Sequence, residues 1–226
     1  MDIELFYEQK GNGFPLVLLH GNGEDHSYFV NQIDYFSKKY RVIAIDTRGH
    51  GKSPRGNGVF SISRFANDLY EFFCEKGINK AHILGFSDGA NIALEFALKH
   101  PEMLEKLILN GGNLCPAGIK RSTQFPIELG YKISGFFAKK SADALKNHEM
   151  LALMVKEPDI LPESLISVTA PTLVIVGTND MVKHKHSELI AKSIKNAELA
   201  IIKGNHFIAN KKPREFNSAV EKFLLK

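Results

Sequence analysis

Along most of the chain, short continuous apolar runs alternate with stretches in which apolar residues recur every three to four positions. The runs are Leu16–Leu19, Val42–Ile45, Ala81–Leu84, Leu107–Leu109, Leu173–Val176 and Leu199–Ile202, and Ile3–Tyr7 alternates apolar and polar residues like a strand. Short apolar runs bounded by turn residues suit parallel strands covered on both faces. Helical periodicity occupies 28–38, 61–76, 89–99, 184–195 and 213–225. Strand–helix alternation of this kind predicts an α/β fold with a mostly parallel, doubly wound sheet. One interval breaks the rhythm. From Asn113 to Thr169 there is no buried-strand run, only amphipathic helical stretches carrying Phe136, Phe137, Met150, Leu151, Leu153 and Met154. The expectation is a helical lid at 113–169, set into a core formed by 1–112 and 170–226.

Composition narrows the class. The chain has 226 residues, 44% hydrophobic and 24% charged, which suits one sizeable folded domain and excludes global disorder. The net charge is +4, with basic residues in short clusters such as Lys38-Lys39, Lys139-Lys140 and Lys211-Lys212. These read as solvated helix faces rather than a nucleic-acid footprint. Met1-Asp2-Ile3-Glu4 lacks the basic-then-apolar order of a signal peptide, and no apolar stretch approaches the ~20 residues needed to span a bilayer. Cys74 and Cys115 are far apart and in no metal-like spacing, so reduced thiols are expected. The picture is a cytoplasmic protein, monomeric or a small homo-oligomer, with a small-molecule partner. Nucleic-acid and membrane partners, cofactors and metals are not expected.

Two loops imitate nucleotide sites. Asp46 through Ser53 ends in Gly-Lys-Ser, but a phosphate-binding loop needs glycine where Asp46 stands, and a carboxylate there would repel phosphate. Gly21-Asn22-Gly23 opens like a dinucleotide fingerprint, but His26 occupies the third glycine position.

Gly85-Phe86-Ser87-Asp88-Gly89-Ala90 lies between an apolar run and an apolar helical pattern. A nucleophile elbow needs this: a tight strand-to-helix turn, Ser87 at its apex, and glycines where side chains would collide with backbone. The following helix points its partial positive end at a developing oxyanion. A serine hydroxyl needs a base. His206, in Gly204-Asn205-His206 after the last apolar run, has the right position. His82 lies inside a strand, His100 precedes a proline, and His184 and His186 face different sides of a helix. The base needs an acid, and Asp180 follows the Leu173–Val176 run in a loop at the same sheet edge. Asn179 could equally cap the next helix. The backbone N–H groups of Asp88 and of Asn22, in His20-Gly21-Asn22-Gly23, are the candidate oxyanion donors, with His20 an anchor for the loop.

Together, His20-Gly21-Asn22-Gly23, Asp46-x-Arg48-Gly49-x-Gly51-x-Ser53, Gly85-x-Ser87-x-Gly89, Ala170-Pro171-Thr172 and Gly204-Asn205-His206 resemble the α/β-hydrolase fold. The likeness is to small single-lid serine hydrolases: carboxylesterases, enol-lactone hydrolases and carbon–carbon bond hydrolases. It covers nearly the whole chain. It implies a lid after the sixth strand of the fold, structural roles for Asp46 and Arg48, and a Ser87–His206–Asp180 triad. The chain is short for such a family, so one N-terminal strand and part of the lid are expected to be missing. Ser87 in place of an aspartate, and the lack of tryptophan, argue against halide or epoxide chemistry. The expected reaction is hydrolysis of a small carboxylic ester through an acyl-enzyme. A lyase or carbon–carbon hydrolase on the same triad and a catalytically silent binding protein remain open. Candidate substrate contacts are Phe86, Asp88, Phe125, Phe136, Phe137 and Met154. The Asp88 carboxylate either attracts a cationic group such as an α-amine or simply favours the helix N-terminus.

Overall fold

A computed structural model describes residues 2–226. Seven strands form one sheet: β1 (Tyr7–Lys10), β2 (Pro15–Leu19), β3 (Arg41–Ile45), β4 (Ala81–Phe86), β5 (Leu104–Asn110), β6 (Thr172–Asn179) and β7 (Ala197–Asn205). Their order is β1-β3-β2-β4-β5-β6-β7, and every pairing is parallel except β1 with β3. The helices are α1 (Val30–Phe36), α2 (Ile62–Glu75), α3 (Asp88–Lys99), α4 (Arg121–Gly135), α5 (Ala142–Lys156), α6 (His184–Ser193), α7 (Ile208–Lys211) and α8 (Pro213–Leu224). The anticipated doubly wound α/β sheet is therefore present.

Strand periodicity explains the two layers. In β2, Val17 and Leu19 point into a core with Phe65, Phe72 and Phe73 of α2 and Phe96 of α3. Leu16 and Leu18 point the other way, toward Phe36 of α1 and Phe216 and Val220 of α8. Leu16 to Leu19 are at most 1% exposed, so burial on both faces produces the uninterrupted apolar run. The chain steps from β2 outward to β3 and then back past β2 to β4. That reversal opens a crevice at the carboxyl ends of β2 and β4, where open α/β sheets bind ligands.

The first strand differs from its expectation. The ladder uses Tyr7–Lys10, with Tyr7 opposite Ile45 and Lys10 opposite Val42. In Ile3–Tyr7 the apolar positions serve packing instead: Leu5 is buried, and Ile3 packs against the same core.

Between β5 and β6 the chain forms α4 and α5, which pack on each other, flanked by short 3-10 turns at Pro116–Gly118 and Pro162–Ser167. The entry to α4 is tied to the loop after β6. Ile119 bridges Val182, Lys120 N–H donates to Met181 O (2.8 Å), and Lys183 N–H donates to Gly118 O (2.9 Å). No helix among the described residues is long and apolar enough to cross a membrane.

Candidate active site

Ser87 follows β4 directly and caps α3, with φ +53° and ψ −119°. Among the described residues it is the only non-glycine with positive φ. Such a conformation costs of order 1–3 kcal/mol and persists only where its surroundings enforce it. The enforcement is visible. Ser87 N–H donates to Asn110 O (2.8 Å), and the Ser87 carbonyl accepts from Ala90 N–H (2.9 Å) and Asn91 N–H (3.1 Å). A Cβ on Gly85 would overlap the Gly89 backbone, and one on Gly89 would overlap the Leu19 and His20 carbonyls. Both glycines are needed for close approach, and the first turn of α3 is pressed onto the end of β2.

Asp180 follows β6 and His206 follows β7. Asp180 is 1% and His206 5% exposed, and His206 Nδ1 lies 2.7 Å from Asp180 Oδ1. Asp180 also accepts from Val182 N–H (3.0 Å) and Gly177 N–H (3.2 Å). Burial alone would raise its pKa, but the His206 contact and these amides outweigh burial and hold it below the ordinary range. An ionised acceptor on Nδ1 fixes the hydrogen there and leaves Nε2 as the basic nitrogen. His206 Nε2 is buried and makes no hydrogen bond with any described residue. Ser87 and His206 are thus not hydrogen-bonded to each other. The His206 ring rests on Gly111, where a Cβ would fall 2.6 Å from its Cε1, and beside Phe86 at 4.8 Å between centroids.

The loop after β2 is held from several sides. Thr47 N–H donates to His20 Nε2 (3.0 Å), so His20 Nδ1 carries the hydrogen and donates to Gly21 O (2.7 Å). Burial lowers the His20 pKa, keeping it neutral. Gly21 N–H donates to Glu24 Oε2 (3.1 Å), which leaves Asn22 N–H as the loop's donor candidate. The Asn22 amide donates to Met150 O on α5 (2.8 Å). Asp46 accepts from His26 N–H (2.7 Å) and Lys52 N–H (2.8 Å), closing the loop after β3. Arg48 is buried and pairs with Asp68 of α2, Nε to Oδ2 at 2.6 Å and Nη2 to Oδ1 at 2.7 Å, and with Asp2. Neither Asp46 nor Arg48 lines the pocket at Ser87.

That pocket, a tight cavity of about 20 Å³, is lined by Ser87, Asp88, Asn113, Ile119, Gln124, Ile127, Met154, Glu157 and Met181. Its charge is unusual. Asp88 Oδ1 lies 3.4 Å from Asn91 Nδ2, while Asp88 Oδ2 is buried without a partner. Burial, with Glu157 nearby, pushes Asp88 up to about 6. Glu157 is raised as well, by burial, although its Oε2 accepts Ile62 N–H at 2.6 Å.

Of the candidate contacts, Asp88 and Met154 line the pocket. The structure corrects the others. Phe86 is buried, stacked on Tyr28 (4.4 Å, 6°) and against His206, so it supports the histidine from behind. Phe125, Phe136 and Phe137 are solvent-exposed on the far side of α4 and the turn after it. Their helix turns Gln124 and Ile127 inward instead. Sequence reasoning missed Glu24, which burial pushes up to about 7, and Glu157. Glu24 sits three residues after Gly21, a spacing that signals a side chain returning to a loop amide. Nothing local marks Glu157, which arrives at Ser87 through the packing of α5.

A family model for the α/β-hydrolase fold matches residues 15–126, which run from β2 into α4. The chain has the α/β-hydrolase fold. Relatives with a named activity are hydrolases. The chain is 29% identical to the serine hydrolase BPHL of Homo sapiens, over 98% of this chain and 83% of that one. It is 31% identical to a 2-hydroxy-6-oxononadienedioate/2-hydroxy-6-oxononatrienedioate hydrolase of Paraburkholderia phymatum, over 85% of this chain and 65% of that one. The enol-lactonase of Burkholderia xenovorans LB400 shares the fold, with a TM-score of 0.83 at 22% identity, covering 99% of this chain and 97% of that one.

Proposed function

We propose that this hydrolase cleaves small carboxylic esters through an acyl-enzyme, with Ser87 as nucleophile, His206 as general base and Asp180 as the acid that orients it. The reading is supported by one observation: a strained serine ends β4 of the same sheet whose β7 and β6 end in a buried imidazole paired with a carboxylate. Ser87 Oγ attacks the carbonyl carbon as His206 Nε2 takes its proton. Asp88 and Asn22 N–H groups stabilise the oxyanion. His206 then protonates the leaving alcohol and activates the water that releases the acid. In this reading α4 and α5 act as a lid whose inner face shapes the substrate site.

The pocket's charge bears on the substrate. An unpartnered carboxylate oxygen beside the nucleophile favours an ester with a cationic group near its carbonyl, such as an α-amine. The same pair, Asp88 and Glu157, disfavours a dicarboxylate. This weighs against carbon–carbon cleavage of a dianionic substrate on the same triad.

Turnover of p-nitrophenyl acetate and butyrate by wild type and Ser87→Ala tests the reading, with fluorophosphonate labelling as a second measurement. Ester turnover and labelling that both vanish in Ser87→Ala are expected. Labelling without ester turnover would move the assignment to another substrate class. Absence of both would indicate a silent fold.

A further inference from the structure

The helix α4 turns a mixed polar and apolar side inward and an apolar side outward. Its inner side turns Gln124 and Ile127 to the pocket and stacks Tyr131 on His148 of α5. Its outer side carries Phe125 (55% exposed), Leu129 (50%), Ile133 (50%) and Phe136 (80%). Their spacing of four, four and three keeps them in one row along the helix. Phe137, 46% exposed, continues the row into the next turn. A helix at a protein surface normally turns a polar face outward, so a row of large apolar residues there marks an interaction surface.

The charge around the row says what covers it. Lys132, Lys139 and Lys140 accompany the row, and Arg121 beside it is paired with Glu128 (2.8 Å), while Lys120 turns inward to the Asp180 carbonyl. The basic groups also touch the exposed rings: Arg121 lies 5.3 Å over Phe125, and Lys140 lies 4.5 Å over Phe137. Aromatic and aliphatic side chains ringed by lysine match the boundary of an anionic bilayer, where rings enter the headgroup layer and ammonium groups meet phosphate. Nucleic acid would satisfy the charge but not the apolar row. A second copy would satisfy the apolar row but bring like charge against like.

We propose that the outer face of α4 and the turn that follows it dock the protein on an anionic lipid surface. This departs from the expectation of no membrane partner, which spoke to spanning segments and not to a surface helix. The proposal is independent of the ester chemistry.

Co-sedimentation with phosphatidylcholine vesicles, and with vesicles of phosphatidylcholine mixed with phosphatidylglycerol, tests it at low and high salt. Wild type is expected to bind the mixed vesicles at least about tenfold more than the neutral ones, and to be released by salt. Both Phe136→Ser with Ile133→Ser and Lys139→Glu with Lys140→Glu should lose that binding. All four side chains are exposed, so folding is not at issue. Failure to bind the mixed vesicles at low salt would overturn the proposal. So would self-association in sedimentation equilibrium that Phe136→Ser abolishes, since the row would then belong to a second copy.

Discussion

Two walls of different character meet at Ser87. The sheet edge is complete in itself. Asp180 is buried yet ionised, held by an imidazole and two backbone amides, and only His206 Nε2 in that pair is left over. The opposite wall, built by the start of α3 together with α4 and α5, is unfinished. Asp88 Oδ2 and Gln124 Oε1 are buried without partners, and Asp88 and Glu157 are both pushed toward protonation. Buried polar atoms without partners are uncommon in folded proteins. The contrast teaches a division of labour. The sheet edge is organised before substrate arrives, as electrostatic catalysis demands. In the proposed reading, the other wall receives its donors from the substrate.

The contrast can be broken at its strongest point first. Asp180→Asn should lower kcat/KM for p-nitrophenyl esters by roughly 10⁴-fold, because the wrong imidazole tautomer is then held in place. A loss under about tenfold would mean that the sheet edge is not what prepares the base. Arg48→Met leaves buried Asp68 with only the longer Arg64 contact (3.4 Å), and should cost about 3 kcal/mol in urea unfolding. Stability close to wild type would show that the loop after β3 is held by other contacts.

Asp88→Asn addresses the unfinished wall. It should reduce the preference for amino-acid esters over neutral esters by about ten- to a hundredfold at pH above 7, measured as a ratio of kcat/KM. With Asp88 at about 6 against an ordinary 3.8, the preference should fade in wild type as pH drops below about 6. The stability effect has the opposite sense. A carboxyl whose pKa is raised by folding binds its proton more tightly in the native state, so its ionisation lowers stability as pH rises through that window. Asp88→Asn should therefore raise Tm by a few degrees, roughly, at pH 8 and leave it nearly unchanged near pH 4. The smallest effect is expected farthest out. Phe125→Ser should change folding stability by no more than about 0.5 kcal/mol, since its ring is mostly in solvent.

Local pattern carried the sheet edge almost entirely. Ser87, Asp180 and His206 each stand immediately beyond a strand. That placement follows from apolar runs and the turn residues that stop them, so reading the strands also located the three side chains. Burial alone misled at Ile3–Tyr7, where apolar alternation packs Leu5 but the hydrogen-bonded ladder begins at Tyr7. The second wall was barely legible. Phe125, Phe136 and Phe137 drew notice for their size, yet which side of α4 faces Ser87 depends on how α4 meets α5, and the more apolar side is the outer one. Glu157 reaches the site from 70 positions beyond Ser87 in the chain. Asp2 and Asp68 likewise meet Arg48 only through folding.

The short bridge of Ile119 to Val182, with Lys120 and Lys183 bonded across it, joins the root of α4 to the loop that carries Asp180. It works as a seam. Chain beyond Lys120 can be exchanged for a different helical pair while the strand ends on the near side keep their register. A chimera cut on both sides of the helical pair would keep Ser87, Asp88 and Met181 of the pocket and exchange Gln124, Ile127 and Met154.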